Sequence, residues 1–190
     1  MIVRQARRGL VLVVGPSGSG KDTLIAGARA ALADSADYVF PRREITRAAE
    51  AGGEPHVAVS EAEFGARLDA GRYALAWQAH GLSYGIPTEI VGELEAGRAV
   101  VVNVSRTVID DARRRFVRVH VVRVAVDEAA LRERLAARGR EDPAAVAGRL
   151  ARAGLASGDA GDVVIDNSGA IEPAVAAFTA FLRSLQPASA

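Results

Sequence analysis

The sequence predicts an α/β domain in which helices flank a parallel β-sheet, and two observations support this fold class. The first is a short, entirely apolar run over residues 10–14 that ends at Gly15 and Pro16, as expected for a buried parallel strand. The second is the recurrence of β-branched runs, each followed by a helical pattern, at residues 99–104, 117–126 and 162–166. Strands that alternate with helices indicate right-handed βαβ units around one sheet.

The helices are predicted from apolar residues spaced three and four positions apart. Residues 21–33 follow the first strand with this pattern, and residues 171–185 show it near the end of the chain. Residues 127–149 are also helical in pattern but are interrupted at 138–143 by Gly and Pro. We interpret this interruption as a mobile, arginine-bearing turn, and we predict a lid over about residues 137–150.

Residues 42–96 break the alternation of strands and helices. This stretch contains Gly52-Gly53-Glu54-Pro55, a short alternating run at 56–60 and a piece rich in aromatic residues and glycine at 73–85. We interpret it as an insertion that covers the substrate. The chain is therefore predicted to be a single domain, residues 1–190, with a core of residues 1–41 and 97–190.

Composition is typical of a globular protein and makes nucleic acid a weak candidate partner. The 24 basic residues are matched by 23 acidic residues, whereas a duplex-binding protein normally carries a basic excess. The chain contains no cysteine, which excludes disulfides and thiolate metal sites. The first apolar run is too short for a signal peptide or a membrane span. We expect a cytoplasmic monomer or homodimer that acts on small molecules, with no nucleic-acid or membrane partner.

A glycine-rich loop, Gly15-Pro16-Ser17-Gly18-Ser19-Gly20-Lys21, follows the first strand and opens a helix. This is the context that the phosphate-binding P-loop requires, because successive backbone N–H groups and the helix N-terminus converge on phosphate oxygens. Lys21 is the only lysine in the chain, and it supplies a mobile charge for the transferring phosphoryl group. The alternative is a strand-to-helix turn without a ligand. The predicted ATP-binding residues are Gly15, Pro16, Ser17, Gly18, Ser19, Gly20, Lys21, Asp22 and Thr23.

Asp22 departs from the usual loop, in which Ser or Thr follows the lysine. A carboxylate beside polyphosphate is tolerable with a cation between them, so one hypothesis is that Asp22 contacts Mg²⁺ or its water shell. The other hypothesis is a first-turn acid that complements the helix dipole. The sequence leaves both open.

With this loop, nearly the whole chain resembles the guanylate kinase branch of the P-loop kinases. Thr46-Arg47 matches the substrate-phosphate motif of that branch, and residues 56–60 with Phe64 match its strand and following helix. Residues 77–85, which end in Tyr84-Gly85, match its aromatic segment. The resemblance implies a P-loop NTPase fold with a five-stranded parallel sheet flanked by helices, a substrate-binding insertion and a lid whose arginines are Arg138 and Arg149.

The departures from guanylate kinases concern the base. Leu75 stands about where those enzymes carry a guanine-binding glutamate, and Ile86 replaces a hydroxyl residue. Each buried polar group of a base left unpaired costs on the order of 1 to 3 kcal/mol. Guanine is therefore a poor candidate acceptor.

A closer resemblance within this branch is to the ribose 1,5-bisphosphate phosphokinase family. Its distinctive marks here are Lys21-Asp22 and the pair Ser105-Arg106 after residues 101–103, together with Ile45-Thr46-Arg47, His56, Trp77, His80-Gly81-Leu82 and Tyr84-Gly85. The resemblance implies that the chain uses ATP to convert ribose 1,5-bisphosphate into 5-phospho-α-D-ribose 1-diphosphate, in phosphonate breakdown.

The resemblance also implies roles for individual residues. Lys21, Arg138 and Arg149, with Mg²⁺, would stabilise the transferring phosphoryl group. The substrate-binding candidates are Arg47, His56, Tyr84 and Arg106, and Asn167 would contact adenine. Each has a structural alternative: a surface salt bridge for Arg47, a satisfied structural histidine for His56, packing for Tyr84, helix capping for Arg106 and a turn asparagine for Asn167.

Two other functions stay open at this point. One is a guanylate or other nucleoside monophosphate kinase with altered base contacts. The other is a non-catalytic, guanylate kinase-like module that binds proteins. Modules of that kind lose the phosphate loop, whereas residues 15–21 keep it.

Overall fold

The computed structural model describes residues 7–48, 55–137 and 161–187 of the chain. Its strands are β1 Leu10–Val14, β2 Tyr38–Val39, β3 Glu44–Ile45, β4 Val57–Ala58, β5 Tyr73–Ala79, β6 Leu82–Pro87, β7 Ala99–Asn103, β8 Val119–Ala125 and β9 Val163–Asp166. Its helices are α1 Lys21–Ala31, α2 Glu61–Asp69, α3 Ile90–Glu95, α4 Ile109–Arg115, α5 Glu128–Ala137 and α6 Ile171–Ser184, and a 3₁₀ turn spans Arg106–Val108.

The central sheet has five parallel strands in the order β2-β7-β1-β8-β9, which confirms the predicted fold class. β1 lies in the middle and pairs with β7 on one side and β8 on the other. All five of its residues are buried because both faces of the sheet are covered, which is why this strand is apolar throughout. The phosphate loop therefore starts from the most enclosed strand.

Successive residues of β1 point to opposite faces and enter two separate cores. Val11 and Val13 pack on the face covered by α1 and α6, with Leu24 and Phe178. Leu10, Leu12 and Val14 pack on the other face. The second core also holds Leu75, Trp77 and Ile86, so the segment between β2 and β7 is attached to the central sheet through apolar burial.

Most of the stretch predicted as an insertion forms a second, four-stranded sheet in the order β4-β3-β6-β5, which we call the insertion sheet. β5 and β6 form a hairpin whose turn residues, His80 and Gly81, both have positive φ angles of 54° and 73°. Two consecutive positive φ angles are typical of the tight turns that join antiparallel strands. That this sheet covers a substrate stays a prediction.

Helix α2 of the insertion begins with a reciprocal cap. The backbone N–H of Glu63 donates to the Ser60 hydroxyl, and the Glu63 carboxylate accepts from the Ser60 backbone N–H. The Ser60 backbone N–H and hydroxyl both donate to the Glu63 carboxylate, and these two bonds hold the pKa of Glu63 below its usual value. The cap orients α2 so that Phe64 stacks on Tyr73, with ring centroids 4.6 Å apart.

The predicted elements differ from the observed ones mainly at their ends. Helix α1 ends at Ala31 rather than residue 33, because Leu32 takes a non-helical backbone conformation. Strand β2 has only two residues and carried no periodic signal. The predicted lid, including Arg138 and Arg149, lies outside the described residues apart from the end of α5. Among the helices described, none is both long and apolar enough to span a membrane.

We predict that Phe178→Ala destabilises the domain by about 3 to 5 kcal/mol, since it empties a fully buried site between α6 and the central sheet. Urea unfolding followed by circular dichroism measures this loss. Leu68→Ala is the matched control, because Leu68 is 48% exposed and its truncation should change stability by less than about 1 kcal/mol. Equal losses in the two variants would contradict the assignment of this core.

Candidate active site

The phosphate loop runs from the end of β1 to the start of α1 along a path that needs glycine. Gly20, immediately before α1, has a left-handed backbone with φ of 86°. A Cβ atom there would lie 2.5 Å from the Asn167 side-chain nitrogen, and one on Gly15 would lie 2.7 Å from the Val124 carbonyl oxygen. The loop is therefore packed tightly against the ends of β8 and β9.

Asn167 ties the loop to the end of β9. Its side chain is only 2% exposed, and its Nδ2 donates to the Ser19 carbonyl oxygen at 2.7 Å. Its own backbone N–H donates to the Ala125 carbonyl at 2.8 Å. The structure thus gives Asn167 a positioning contact that sequence reasoning missed, and its predicted contact with adenine stays a prediction.

The residues beside Asn167 form an ordered turn. The Asp166 Oδ1 accepts from the Ser168 hydroxyl at 2.6 Å and from the Ser168 backbone N–H at 3.1 Å. Both bonds lower the pKa of Asp166 from its ordinary value, and the bond from the hydroxyl has the larger effect. Because the ionised form accepts both bonds, the turn that presents Asn167 is best ordered when Asp166 is charged.

Lys21 lies across the phosphate loop. Its ammonium donates to the carbonyl oxygens of Gly15 and Pro16, each at 2.8 Å. The ammonium group and the left-handed glycine turns therefore occupy one short stretch of chain at the positive end of α1. This arrangement of charge and backbone donors is suited to a polyphosphate.

Asp22 occupies the first turn of α1 and meets the end of β7. Its Oδ1 accepts from the Asn103 side-chain amide at 2.6 Å and lies 3.7 Å from the Arg43 guanidinium. Asn103 is the last residue of β7 and is paired in register with Val13 of β1. The sequence singled out Asp22 but gave no role to Asn103, which lies within the predicted strand 99–104.

Arg43 joins the phosphate loop to the insertion sheet. Its side chain is 11% exposed and donates to the Asn103 carbonyl oxygen at 3.2 Å. Its guanidinium also sits over the Tyr84 ring, 5.5 Å from the centroid, and Tyr84 stacks on Trp77 at 5.3 Å with nearly parallel rings. Sequence reasoning missed Arg43. The available signal was its place just before the matched Thr46-Arg47.

Arg47 and His56 lie together, as two predicted substrate-binding residues should. Arg47 Nη2 is 3.2 Å from His56 Nδ1, and His56 Nε2 is 3.1 Å from the Arg47 carbonyl oxygen. A carbonyl can only accept and a guanidinium can only donate, so His56 carries its proton on Nε2 in this arrangement. The imidazole thereby orients the guanidinium.

Neighbouring bonds fix β3 and Thr46, which lead directly to Arg47. The Thr46 hydroxyl accepts from the Ser83 backbone N–H at 2.9 Å, which joins it to β6. In β3, the Glu44 carboxylate accepts from the Tyr73 hydroxyl at 2.5 Å and pairs with Arg67 at 2.7 Å. Burial, then the bond to Glu44, raises the pKa of Tyr73 well above its usual value. Tyr73 is thus a neutral donor that holds β3 against β5.

Arg106 lies where the sequence placed it, on the 3₁₀ turn that follows β7. The structural alternative for Arg106 was helix capping. Ser105 caps this turn instead, because its hydroxyl accepts from the Thr107 backbone N–H at 3.3 Å. Of the predicted arginines, Arg47 and Arg106 belong to the described residues, whereas Arg138 and Arg149 do not.

The two positions at which the resemblance to guanylate kinases implied base contacts carry buried apolar side chains. Leu75 and Ile86 are cross-strand partners in the β5-β6 hairpin. They are 1% and 0% exposed and belong to the core shared with β1. Neither side chain offers a hydrogen bond to a base edge.

Comparisons with known proteins show which family the chain belongs to. The chain is 53% identical over 173 residues to a ribose 1,5-bisphosphate phosphokinase PhnN from Acidiphilium cryptum, covering 91% of each chain. It is 50% identical to a protein of the same name from Desulfomicrobium baculatum, covering 84% of this chain and 86% of the relative. No protein-family model matches the chain.

Among solved structures, the fold is similar to that of a guanylate kinase from Anaplasma phagocytophilum. The TM-score is 0.65 with 19% sequence identity, covering 97% of this chain and 88% of that one. This structural similarity supports the fold, whereas the sequence relatives support the assignment to a family within that fold. The chain belongs to the ribose 1,5-bisphosphate phosphokinase family.

Proposed function

We propose that this protein transfers the γ-phosphoryl group of ATP to ribose 1,5-bisphosphate and releases 5-phospho-α-D-ribose 1-diphosphate and ADP. The observation that carries the proposal is the intact phosphate loop, with Lys21 across it, in a chain 53% identical to a named member of this family. The sequence resemblance implies that this reaction belongs to phosphonate breakdown.

The donor side of the site consists of residues 15–23 and the Asn167 contact. In the proposed complex, the loop N–H groups hold the β- and γ-phosphates, and the Lys21 ammonium leaves its carbonyl partners to follow the transferring group. The Asn167 amide keeps the loop in this path through Ser19. A fixed loop stabilises the transition state without reorganisation during the reaction.

The acceptor side consists of Arg47, His56, Tyr84 and Arg106. Arg47 is the main phosphate-binding group in this proposal, because His56 already orients its guanidinium. Tyr84 is held between Arg43 and Trp77. Arg106, at the carboxyl end of β7, would bind the second phosphate, since ligands of open α/β sheets lie beyond the carboxyl ends of the strands.

The chemistry requires positioning more than proton transfer. An oxygen of the acceptor's 1-phosphate forms the new bond to the γ-phosphorus, and the bond from that phosphorus to the β–γ bridging oxygen breaks, leaving ADP with the electron pair. The attacking oxygen is already ionised near neutral pH, so no general base has to remove a proton. Charge neutralisation and alignment then account for catalysis.

Magnesium is part of this proposal. Mg²⁺ prefers oxygen ligands and is commonly held by one or two carboxylates plus substrate phosphates. Asp22 offers such a carboxylate, 51% exposed and next to Lys21, and Thr23 offers a nearby hydroxyl. Bound magnesium supplies neutralisation of charge on the transferring phosphoryl group. We further propose that the enzyme works in the cytoplasm as a monomer or homodimer without nucleic-acid partners, consistent with its balanced charge.

We expect phosphorus NMR with ATP and magnesium to show a new diphosphate signal when ribose 1,5-bisphosphate is the acceptor and little turnover when GMP is. The physical reason is that Leu75 and Ile86 leave the polar edge of guanine unpaired. Preferred turnover of GMP would contradict the acceptor assignment and favour a nucleoside monophosphate kinase. Absence of ATP binding in calorimetry would favour a non-catalytic binding module.

We predict that Lys21→Ala lowers kcat by about 10²- to 10³-fold, because it removes the mobile charge from the transferring group. Steady-state kinetics with saturating acceptor measures the change. Lys21→Arg should recover little of the loss, since a planar guanidinium does not replace a compact ammonium. A variant that kept native kcat would show that the loop does not serve the transfer step.

We predict that Arg47→Ala raises the KM for ribose 1,5-bisphosphate by at least about tenfold, the order expected for a lost charge-assisted hydrogen bond. The KM for ATP should stay near its native value. Arg72→Ala is the control, because Arg72 is exposed at 63% in the same part of the chain and pairs with Glu89. A similar rise in both variants would argue against a specific phosphate contact at Arg47.

A further inference from the structure

Two residues at the start of α1 and the end of β7 depart together from the usual pattern of P-loop enzymes. Those enzymes hold magnesium with a Ser or Thr after the loop lysine and with an aspartate from the Walker-B segment. Here the residue after Lys21 is an aspartate, Asp22, and the apolar strand beside β1 ends in an uncharged amide, Asn103. The acid is therefore on the loop side of the site.

We infer that Asp22 and Asn103 have exchanged roles relative to the usual P-loop arrangement. The loop supplies the acidic group for the metal that accompanies the nucleotide, and the strand supplies the neutral group that orients this acid. The inference rests on the proposed function, since it concerns the magnesium that accompanies ATP. Asn103 is the new positioning residue, and Asp22 acquires the part that a strand aspartate usually plays.

The contacts of Asp22 separate its two oxygens. Oδ1 accepts the Asn103 amide at 2.6 Å and faces Arg43 at 3.7 Å. Oδ2 makes no hydrogen bond or ion pair with any residue in 7–48, 55–137 or 161–187. One oxygen thus fixes the carboxylate and the other stays available to a ligand, as in metal sites whose ligands are held by outer hydrogen bonds.

Asn103 is itself held in place, so it can orient Asp22. It is buried, its backbone is part of the β1-β7 ladder opposite Val13, and its carbonyl oxygen accepts from Arg43. Its amide is also the right chemical group for this position. An aspartate there would place a second carboxylate against Asp22, and two adjacent like charges oppose each other's ionisation.

The donor set fits magnesium held jointly with phosphates rather than a site built from protein alone. Within the described ranges, no group of three or more His, Asp or Glu side chains could hold a metal. A single oriented carboxylate next to the phosphate loop matches the habit of Mg²⁺, which keeps waters and takes its remaining ligands from the nucleotide. Arg43 offsets part of the acid's charge while the cation is absent.

The test changes the side chains at positions 22 and 103, singly and together, and measures nucleotide binding. Isothermal titration with β,γ-imido-ATP, in Mg²⁺ and in EDTA, gives the factor by which the metal strengthens binding. We expect Asp22→Ser and Asn103→Ala each to reduce this factor by at least about tenfold, as is typical when a metal ligand or its orienting partner is lost. The double variant Asp22→Ser with Asn103→Asp restores the usual distribution of groups, and we expect it to recover a factor near the native one.

Asp34→Ser is the matched control, because Asp34 is an exposed acid just beyond the other end of α1 and its loss should leave the factor unchanged. Thermal unfolding in EDTA checks that each variant folds. The inference is overturned if Asp22→Ser keeps the native factor, or if the double variant binds no better with Mg²⁺ than Asp22→Ser. The first result would indicate a helix-dipole role for Asp22. Since no acceptor is present, failure of the proposed acceptor would leave this outcome unaffected.

Discussion

The hydrogen bond from the Asn167 side chain to the Ser19 carbonyl is the contact on which the donor site depends. A loop of small residues has many conformations available, and only a defined path lets its N–H groups converge on one anion. Here the path is enforced from outside the loop, by a buried amide at the end of β9 and by the Val124 carbonyl against Gly15. Both restraints come from the ends of β8 and β9, which lie on one side of β1, so the sheet itself positions the phosphate loop.

A second set of contacts couples the donor side to the insertion sheet. The Arg43 guanidinium lies beside Asp22, donates to the Asn103 carbonyl oxygen and also sits over the Tyr84 ring. Trp77 stacks behind Tyr84 and is itself buried in the core shared with β1. Because the insertion shares this core, the side chains proposed to bind the acceptor's phosphate hold a fixed position relative to the loop. A transfer between two bound phosphates requires such a fixed separation.

The same architecture serves different acceptors through a few positions. The fold is similar to that of a guanylate kinase, yet the β5-β6 hairpin, where the sequence resemblance implied base contacts, carries Leu75 opposite Ile86, and both fill the core. Burying apolar side chains there stabilises the attachment of the insertion and removes the hydrogen-bonding groups that a base needs. The apolar side chains at these two positions thus affect both the stability of the domain and its specificity for an acceptor.

The sequence by itself determined the features that depend on neighbouring residues. The apolar run of β1, the glycine spacing of the loop and the solitary Lys21 are contiguous, so the α/β class and the phosphate loop could be predicted from local patterns. The match of Thr46-Arg47 likewise gave the prediction of an acceptor region. Strand β2, with only two residues, was too short to carry a periodic signal.

Only the tertiary structure decided which side chains act together. Asn103 meets Asp22 across 81 positions of sequence, and Asn167 meets Ser19 across 148. Arg43 lies just before the matched Thr46-Arg47 in a stretch of several arginines, and its place in the sequence does not show that it contacts Asp22 and Asn103. Such pairs form because parallel strands end at a common edge of the sheet, a property of strand order that no single segment contains.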